Sequence, residues 1–256
     1  MSAIGQSNVR VLAHCEGLFG PVRILERKSD GARLYCVKGS VQTMVQADGV
    51  SVFGYVHATK LLLASARTIL MIGGAGGSLA TMLARQGANV TVVELDPVAE
   101  DLARTYFGLD ERVRWLTADP FSFLETCDST YDAVIVDACN ANGLVAPFDD
   151  ANVLVGVLRR ACPDGSLVLN LVSEDGPPLW GGELAKQIAA LGLNVTLYCA
   201  DLGWEGNELL HIRAHGPTDI IVHTDLAQRP PEVRTYLMSL RARTMCGCQM
   251  KSRRTP

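Results

Sequence analysis

The strongest constraint on the fold is an apolar run at 68–72 that stops abruptly in a glycine-rich run at 73–77. About 20 residues further on, a second run at 89–93 leads into Glu94. This spacing is typical of a buried parallel strand, a tight turn that opens a helix, and a second strand with a carboxylate at its end. Glycines let a nucleoside lie against the backbone, and the carboxylate can accept hydrogen bonds from both ribose hydroxyls. The sequence therefore predicts a nucleoside-binding α/β protein.

Beyond residue 67 the chain alternates between strand-like and helix-like patterns. The predicted strands are 68–72, 89–94, 113–117, 131–137, 166–172, 194–199 and 207–214, and the predicted helices are 78–86, 97–107, 151–161, 183–191 and 231–241. This alternation predicts a doubly wound, mostly parallel sheet. A short loop joins the last two strands, which predicts an antiparallel hairpin at one edge of that sheet. Asp96 before Pro97 is typical of a helix N-cap.

The first 60 residues follow a different pattern, in which short apolar runs are separated by turn residues such as those at 29–31. This pattern predicts a small N-terminal appendage of β-hairpins, and a helix at 56–64 then leads into the main domain. We therefore predict three parts. They are the β-appendage at 1–60, a nucleoside-binding catalytic domain at 61–225, and a C-terminal helix with a basic tail at 226–256.

Composition restricts the kinds of partner and compartment. The net charge of −4 gives no basic field that would favour nucleic acid or an acidic membrane. No segment approaches the roughly 20 apolar residues that span a bilayer, and the first ten residues lack a signal-peptide pattern. The eight cysteines are irregularly spaced, and Cys246 and Cys248 are too close for a typical metal site. We expect a cytoplasmic protein with reduced thiols, no metal, and no nucleic-acid or membrane partner.

Ligands of open α/β sheets bind beyond the carboxyl ends of the strands, so the residues that follow the strands are the candidate binding residues. Acids occupy three of these positions, after three successive strands. Asp119 has a second interpretation as an N-cap, because a helix that starts at Pro120 favours an acid before it. The candidate binding residues are Gly73, Gly74, Ala75, Gly76, Gly77, Glu94, Leu95, Asp119, Pro120 and Asp137.

Two kinds of cofactor suit a glycine turn of this type. A nicotinamide dinucleotide requires glycine or alanine at the end of Gly-x-Gly-x-x-Gly, where the frame that starts at Gly74 has Leu79. A sulfonium nucleoside carries positive charge and no phosphate, and an acidic rim suits it. The residues therefore favour a sulfonium nucleoside and leave the dinucleotide as an alternative.

Taken together, several segments resemble the spermidine synthase (polyamine aminopropyltransferase) family. The matching segments are 69–77, 93–97, 118–120 and 131–137. The similarity covers roughly residues 20–216. It implies a Rossmann-like class I methyltransferase sheet, mostly parallel, with the N-terminal β-hairpins as an appendage. It also implies S-adenosylmethionine, or its decarboxylated form, as the cofactor.

The resemblance also implies roles for individual residues. Glu94 would bind the ribose hydroxyls and Asp119 the adenine amine. Asp137 would lie beside the sulfonium side chain or the incoming nucleophile. The N-terminal hairpins would form the surface of a homodimer, as in relatives.

Three departures from the family pattern bear on the reaction. Gly76 stands where the family has an aspartate that contacts the aminopropyl amine. Asn140 stands where a second aspartate deprotonates the attacking amine, and an asparagine cannot take a proton at neutral pH. Where the family has Tyr-Gln-Glu and then a histidine, this chain has residues 54–56 and Lys60, and a lysine there would repel a polyamine.

We therefore expect an S-adenosylmethionine-dependent methyltransferase that acts on a small-molecule acceptor. In-line displacement releases a neutral thioether, so alignment and the exclusion of water would supply most of the rate. Aminopropyl transfer from decarboxylated S-adenosylmethionine is the first alternative, and a non-catalytic nucleoside-binding module is the second. The candidate catalytic residues are Asp137, Tyr55, His57 and Asn140.

Overall fold

Two main β-sheets, a short two-stranded ribbon and seven α-helices are present in the part of the protein that a computed structural model describes. That part comprises residues 8–140, 143–172, 181–200, 207–216 and 226–246. None of its helices has both the length and the apolar character needed to cross a bilayer.

The first sheet is antiparallel and has four strands in chain order. They are β1 (Val9–Gly17), β2 (Gly20–Arg27), β3 (Arg33–Val37) and β4 (Ser40–Val45). Alternate side chains of β2, such as Val22 and Ile24, point to a small core that also includes Phe107 of the main domain. The predicted N-terminal β-appendage is therefore confirmed, and it packs directly on the main domain.

The second sheet has eight strands and places the site. In chain order they are β5 (Thr68–Ile72), β6 (Asn89–Glu94), β7 (Arg114–Thr117), β8 (Ala133–Val136), β11 (Ser166–Val172), β12 (Asn194–Ala200), β13 (Asn207–Arg213) and β14 (Leu240–Cys246). Their spatial order is β14-β12-β13-β11-β8-β5-β6-β7. The five strands from β11 to β7 run parallel, and β12, β13 and β14 form an antiparallel end. The ribbon between β8 and β11 is β9 (Cys139–Asn140) with β10 (Gly143–Leu144). The α/β class and the mostly parallel sheet are confirmed.

Helices cover both faces of this sheet. They are α1 (Gly54–Leu62), α2 (Ser78–Arg85), α3 (Ala99–Phe107), α4 (Pro120–Thr126), α5 (Ala151–Ala161), α6 (Gly181–Ala190) and α7 (Pro231–Ser239). Buried side chains of α1, α2, α3 and α7 form the core on one face, and those of α4, α5 and α6 form the core on the other. This explains why β11 is apolar at nearly every position: Leu167 and Leu169 enter one core, and Val168 enters the other.

Two local features differ from the sequence prediction. Asp96 does not cap α3, which begins at Ala99; its carboxylate accepts hydrogen bonds from the backbone amides of Val98 and, across 78 residues of sequence, Leu18. The predicted tail contains β14, which pairs with β12 at the sheet edge, so the β12–β13 hairpin lies one strand inside it. Both differences come from contacts between distant segments, which local patterns do not encode.

Candidate functional site

The glycine turn lies where the carboxyl ends of β5, β6 and β8 meet. Gly73 and Gly77 adopt φ angles of 84° and 68°, in the left-handed region that favours glycine. A Cβ at Gly73 would stand 2.5 Å from the carbonyl oxygen of Asp137, at the end of the neighbouring strand. The turn therefore needs glycine both for its conformation and for its close approach to β8.

Glu94 holds the turn from the end of β6. Its Oε2 accepts hydrogen bonds from the backbone amides of Gly74 (2.7 Å) and Ala75 (3.3 Å), and its Oε1 accepts one from the amide of Asp96 (2.9 Å). An ionised carboxylate offers roughly four acceptor sites, so three are used by the protein and Oε1 keeps about one for a ligand hydroxyl. The predicted ribose-binding acid is thus also a structural part of the turn.

Trp115 supports the turn from beneath, and the sequence analysis missed it. A Cβ at Gly74 would lie 2.4 Å from Cη2 of the Trp115 indole, and one at Gly77 would lie 3.5 Å from Cζ3. Trp115 is 8% exposed and comes from β7, the edge strand. The turn therefore rests on a flat ring, which leaves no room for a side chain at Gly74 and lies within van der Waals contact distance at Gly77, where Leu109 Cδ1 at 2.7 Å is the closer neighbour.

Thr43 of the N-terminal sheet contacts the turn from the other side. Its Oγ1 accepts a hydrogen bond from the Gly76 amide at 3.1 Å, and a Cβ at Gly76 would lie 2.9 Å from the Thr43 methyl carbon. The N-terminal sheet thus supplies part of the turn's hydrogen bonding. The Thr43 side chain also occupies the space that a Cβ at Gly76 would need.

A compensating pair of variants tests the packing of Gly74 on Trp115. We expect Gly74→Ala to lower the free energy of unfolding by about 1–3 kcal/mol, because the new methyl overlaps the indole. Trp115→Phe in the same chain should recover part of that loss, since the smaller ring vacates the space. Urea unfolding of the two single variants and the double variant gives the coupling energy. Additive losses would show that the two residues do not contact each other in solution.

Asp137 lies beside the turn, at the end of β8. Its Oδ1 accepts a hydrogen bond from Nδ2 of Asn170 at 2.7 Å, and its Oδ2 accepts one from the Tyr55 hydroxyl at 3.3 Å. Burial raises the pKa of Asp137 to about 6 and outweighs the two hydrogen bonds, which lower it; the charge of Glu94 raises it slightly further. Burial also raises the pKa of Tyr55, so its hydroxyl stays protonated and can donate. The structure therefore brings together two of the predicted catalytic residues.

The pKa of Asp137 predicts how stability depends on pH. The pKa is higher in the folded than in the unfolded chain, so the folded state binds more protons between about pH 4 and 6. Protonation of Asp137 therefore raises the free energy of unfolding at low pH, and this stabilisation is lost as pH rises through that window. Asp137→Asn mimics the protonated carboxyl at every pH. We expect the stability of the variant relative to wild type to rise by roughly 2 kcal/mol between pH 4 and 7. Urea unfolding at a series of pH values measures this difference, and a flat difference would contradict the raised pKa.

Asp119 and Pro120 lie at the same edge of the sheet, after β7. The exposed Asp119 carboxylate accepts hydrogen bonds from the amide and the hydroxyl of Ser122, at 2.9 and 2.8 Å. These bonds lower the pKa of Asp119. The structure shows Asp119 as the N-cap of α4, one of its two sequence interpretations, and its contact with adenine stays a prediction. Leu95, after β6, is 37% exposed, so its side chain is accessible at this rim.

His57 is not placed as a base. One ring nitrogen lies 2.8 Å from the Ser51 carbonyl oxygen and the other lies 2.7 Å from a guanidinium nitrogen of Arg229. The guanidinium can only donate, so the ring is neutral, its Nδ1 accepts from Arg229 and its Nε2–H donates to Ser51. Burial lowers the pKa of His57 to about 4. The geometry corrects the prediction for His57, which holds α1 to the segment before α7.

Asn140, the other predicted catalytic residue, lies in β9, and its side chain falls outside the described part of the structure. Asn170, which the sequence analysis passed over, contacts Asp137 directly. Its signal was available, because a single amide interrupts the apolar run of β11. Within the described residues, no group of three or more histidine, cysteine or acidic side chains could hold a metal ion.

An open α/β sheet whose glycine turn is closed by a strand-end acid defines the class of nucleoside-binding α/β proteins. Within that class, residues 55–171 match the family described as "Spermine/spermidine synthase domain". This match confirms the resemblance to that family that the sequence predicted.

Two relatives carry different activities in their names. The chain is 31% identical over 150 residues to "Polyamine aminopropyltransferase 1" of Streptomyces coelicolor, which covers 54% of this chain and 28% of that protein. It is 33% identical over 122 residues to "eEF1A lysine and N-terminal methyltransferase homolog" of Drosophila pseudoobscura pseudoobscura. This alignment covers 43% of this chain and 18% of that protein. The alignments thus span less than a third of the length of either relative. They support a transferase family and do not prefer methyl over aminopropyl transfer.

Solved structures share the fold. A probable spermidine synthase from Corynebacterium glutamicum superposes with a TM-score of 0.70 at 17% identity, over 95% of this chain and 93% of that one. Human methyltransferase-like protein 13, solved in complex with SAH, superposes with a TM-score of 0.54 at 20% identity, over 73% and 91%. The methyltransferase-like fold is therefore confirmed.

Proposed function

We propose that this protein transfers an aminopropyl group from decarboxylated S-adenosylmethionine to an amine nitrogen. The family match and the relatives named polyamine aminopropyltransferase support this alternative better than the methyl transfer that we expected first. The observation that carries the proposal is the position of Asp137 at the end of β8. Its carboxyl is partly buried, is held on both oxygens, and lies beside the glycine turn.

The proposed reaction needs a base, because an amine that is protonated at neutral pH must lose a proton before or during attack. The nitrogen lone pair attacks the aminopropyl carbon bonded to sulfur, and a C–N bond forms as the C–S bond breaks. Sulfur keeps the bonding electron pair and leaves as the neutral thioether methylthioadenosine. The proton on nitrogen passes to Asp137. A pKa of about 6 leaves this carboxyl ionised at neutral pH and makes it a better base than an exposed carboxylate.

The residues of the turn would hold the donor. Glu94 has about one acceptor site on Oε1 for a ribose hydroxyl, and the glycines let the nucleoside approach the backbone. Asp119 would serve the adenine amine, as the resemblance implies. Alignment of sulfur, carbon and nitrogen, together with the exclusion of water, would supply most of the remaining acceleration.

Methyl transfer from intact S-adenosylmethionine is the second candidate, and one observation favours it. Residue 76 is glycine, so the turn has no acid there to bind the ammonium of an aminopropyl group. Thr43 fills the space that a side chain at this position would need. Relatives named lysine methyltransferase also act on an amine nitrogen, which would use Asp137 in the same way.

Product analysis separates the two candidates. The protein is incubated with each donor and a mixture of mono-, di- and polyamines, and the nucleoside product is identified by mass spectrometry. Methylthioadenosine that depends on the decarboxylated donor and on an amine would support the proposal. S-adenosylhomocysteine formed from the intact donor would replace it by methyl transfer. Binding of a donor without either product would favour a non-catalytic nucleoside-binding module.

A further inference from the structure

The Asn170 amide lies between two side chains, one of which accepts a hydrogen bond from it while the other donates one to it. Its Nδ2 donates to Oδ1 of Asp137 at 2.7 Å, and its Oδ1 accepts from Nδ2 of Asn207 at 2.9 Å. An ionised carboxylate can only accept, so it requires the NH₂ end of Asn170. A rotation of the amide by 180° would turn the Asn170 oxygen toward the carboxylate and its NH₂ group toward that of Asn207. The contact with the carboxylate would then be repulsive, and so would the contact with Asn207 as long as the Asn207 amide keeps its observed orientation.

Asn207 is held from a third element. It is the first residue of β13, and its backbone carbonyl accepts a hydrogen bond from the Tyr236 hydroxyl of α7 at 3.3 Å. The Tyr236 ring also packs on Gly54, where a Cβ would stand 2.2 Å from Cγ of the ring. Gly54 precedes Tyr55, which donates to Asp137. Tyr236 of α7 therefore contacts both Asn207 and the residue next to Tyr55.

We propose that Asn207 is a positioning residue that acts through Asn170 on Asp137. By fixing the Asn170 amide, it keeps Oδ1 of Asp137 occupied and leaves Oδ2, whose bond to Tyr55 is longer, to receive the proton of the acceptor amine. In that step an N–H bond of the amine breaks and an O–H bond forms at Oδ2. The inference rests on the proposed function in so far as Asp137 is the proton acceptor.

The proposal makes the titration of Asp137 depend on Asn207, although the two side chains do not touch. The titratable groups that act on the Asp137 carboxyl are Tyr55 from α1, Glu94 from β6 and Cys139 from β9. Asn207→Ala replaces none of these groups and keeps the backbone carbonyl that accepts from Tyr236. A shift in the Asp137 titration on that substitution would therefore arise through the Asn170 amide.

The test is a carboxyl ¹³C titration of the full chain by NMR, without donor or acceptor, in which Asp137→Asn assigns the signal. We expect Asn207→Ala to raise the Asp137 midpoint by about one unit, because the freed Asn170 amide no longer stabilises the ionised form fully. Asn170→Ala should raise it at least as much, and the double variant should add nothing further. Asn194→Ala is the matched control: Asn194 begins β12 at the opposite edge of the sheet, and its Nδ2 donates to the Gly216 carbonyl at 2.8 Å.

An unchanged midpoint in Asn207→Ala, beside a raised midpoint in Asn170→Ala, would overturn the proposal. So would an equal shift in the Asn194→Ala control, which would indicate a general loss of structure. If Asn207→Ala does not fold, the side-chain amide signals of wild type give the answer. Those of Asn170 and Asn207 should both follow the Asp137 midpoint, and an Asn207 signal that does not would reject the relay. Because no substrate is present, these results are independent of the product analysis.

Discussion

Asp137→Asn should lower kcat for transfer to an amine by about 10²–10⁴-fold, the usual contribution of a positioned general base. Asparagine has nearly the shape of aspartate and can still bond to Tyr55 and Asn170, but it cannot take a proton at neutral pH. We expect the Kd of the donor to change by less than tenfold, because Glu94 and the turn remain intact. Steady-state rates with the identified donor and amine measure kcat. Calorimetry measures the Kd of the donor, and methylthioadenosine serves as a second, unreactive nucleoside ligand.

Asp132→Asn is the matched control for this variant. Asp132 precedes β8 as Asp137 follows it, and its exposed carboxylate accepts hydrogen bonds from the backbone amides of Arg67 and Thr68 at the other edge of the sheet. This control removes the same charge from the same strand segment without touching the site. Equal loss of kcat in the two variants, or full activity of Asp137→Asn, would remove Asp137 from the mechanism.

Glu94→Ala should weaken binding of an adenosyl donor or of methylthioadenosine by more than tenfold, and by roughly 100-fold if the turn also loses its shape. The variant removes the acceptor for the amides of Gly74, Ala75 and Asp96 together with the proposed partner of a ribose hydroxyl. Calorimetry gives Kd directly. A Kd equal to that of wild type would reject the ribose assignment.

Glu100→Ala separates this effect from a general change in charge. Glu100 lies in the first turn of α3 and forms an exposed ion pair with Arg104 at 2.8 Å. Exposed pairs of this kind contribute little to stability, so this control should bind the donor like wild type. Glu94→Gln adds a finer test, because it keeps one oxygen acceptor and replaces the other by an NH₂ group. We expect its Kd to lie between those of wild type and Glu94→Ala.

Much of the fold was predictable because its signals are local. Strands β6 and β11 and helix α5 have the predicted bounds, since turn residues or caps bracket an alternating pattern, a continuous apolar run and a helical pattern respectively. The glycine turn was also readable, because glycine suits the close contacts at Gly73 and Gly74 and the left-handed conformations of Gly73 and Gly77. These features depend on residues that are neighbours in sequence.

The parts of the site that were missed come from distant segments. Thr43 reaches the turn from the N-terminal sheet, Trp115 from an edge strand, and Asn207 from a returning antiparallel strand. His57 illustrates the converse error. A histidine near a predicted site suggested a base, and only the fold shows that Ser51 and Arg229 use both of its nitrogens.

By itself the sequence determined the α/β class, the parallel strands and the position of the acids at the strand ends, because chain periodicity and glycine stereochemistry are local properties. Only the tertiary structure decided which of those acids is partly buried, which one caps a helix and which one closes the turn. Burial and hydrogen-bond partners depend on side chains far apart in the chain. The chemistry of Asp137 is therefore a property of the packed sheet, to which Tyr55, Asn170 and Asn207 each contribute from a different element.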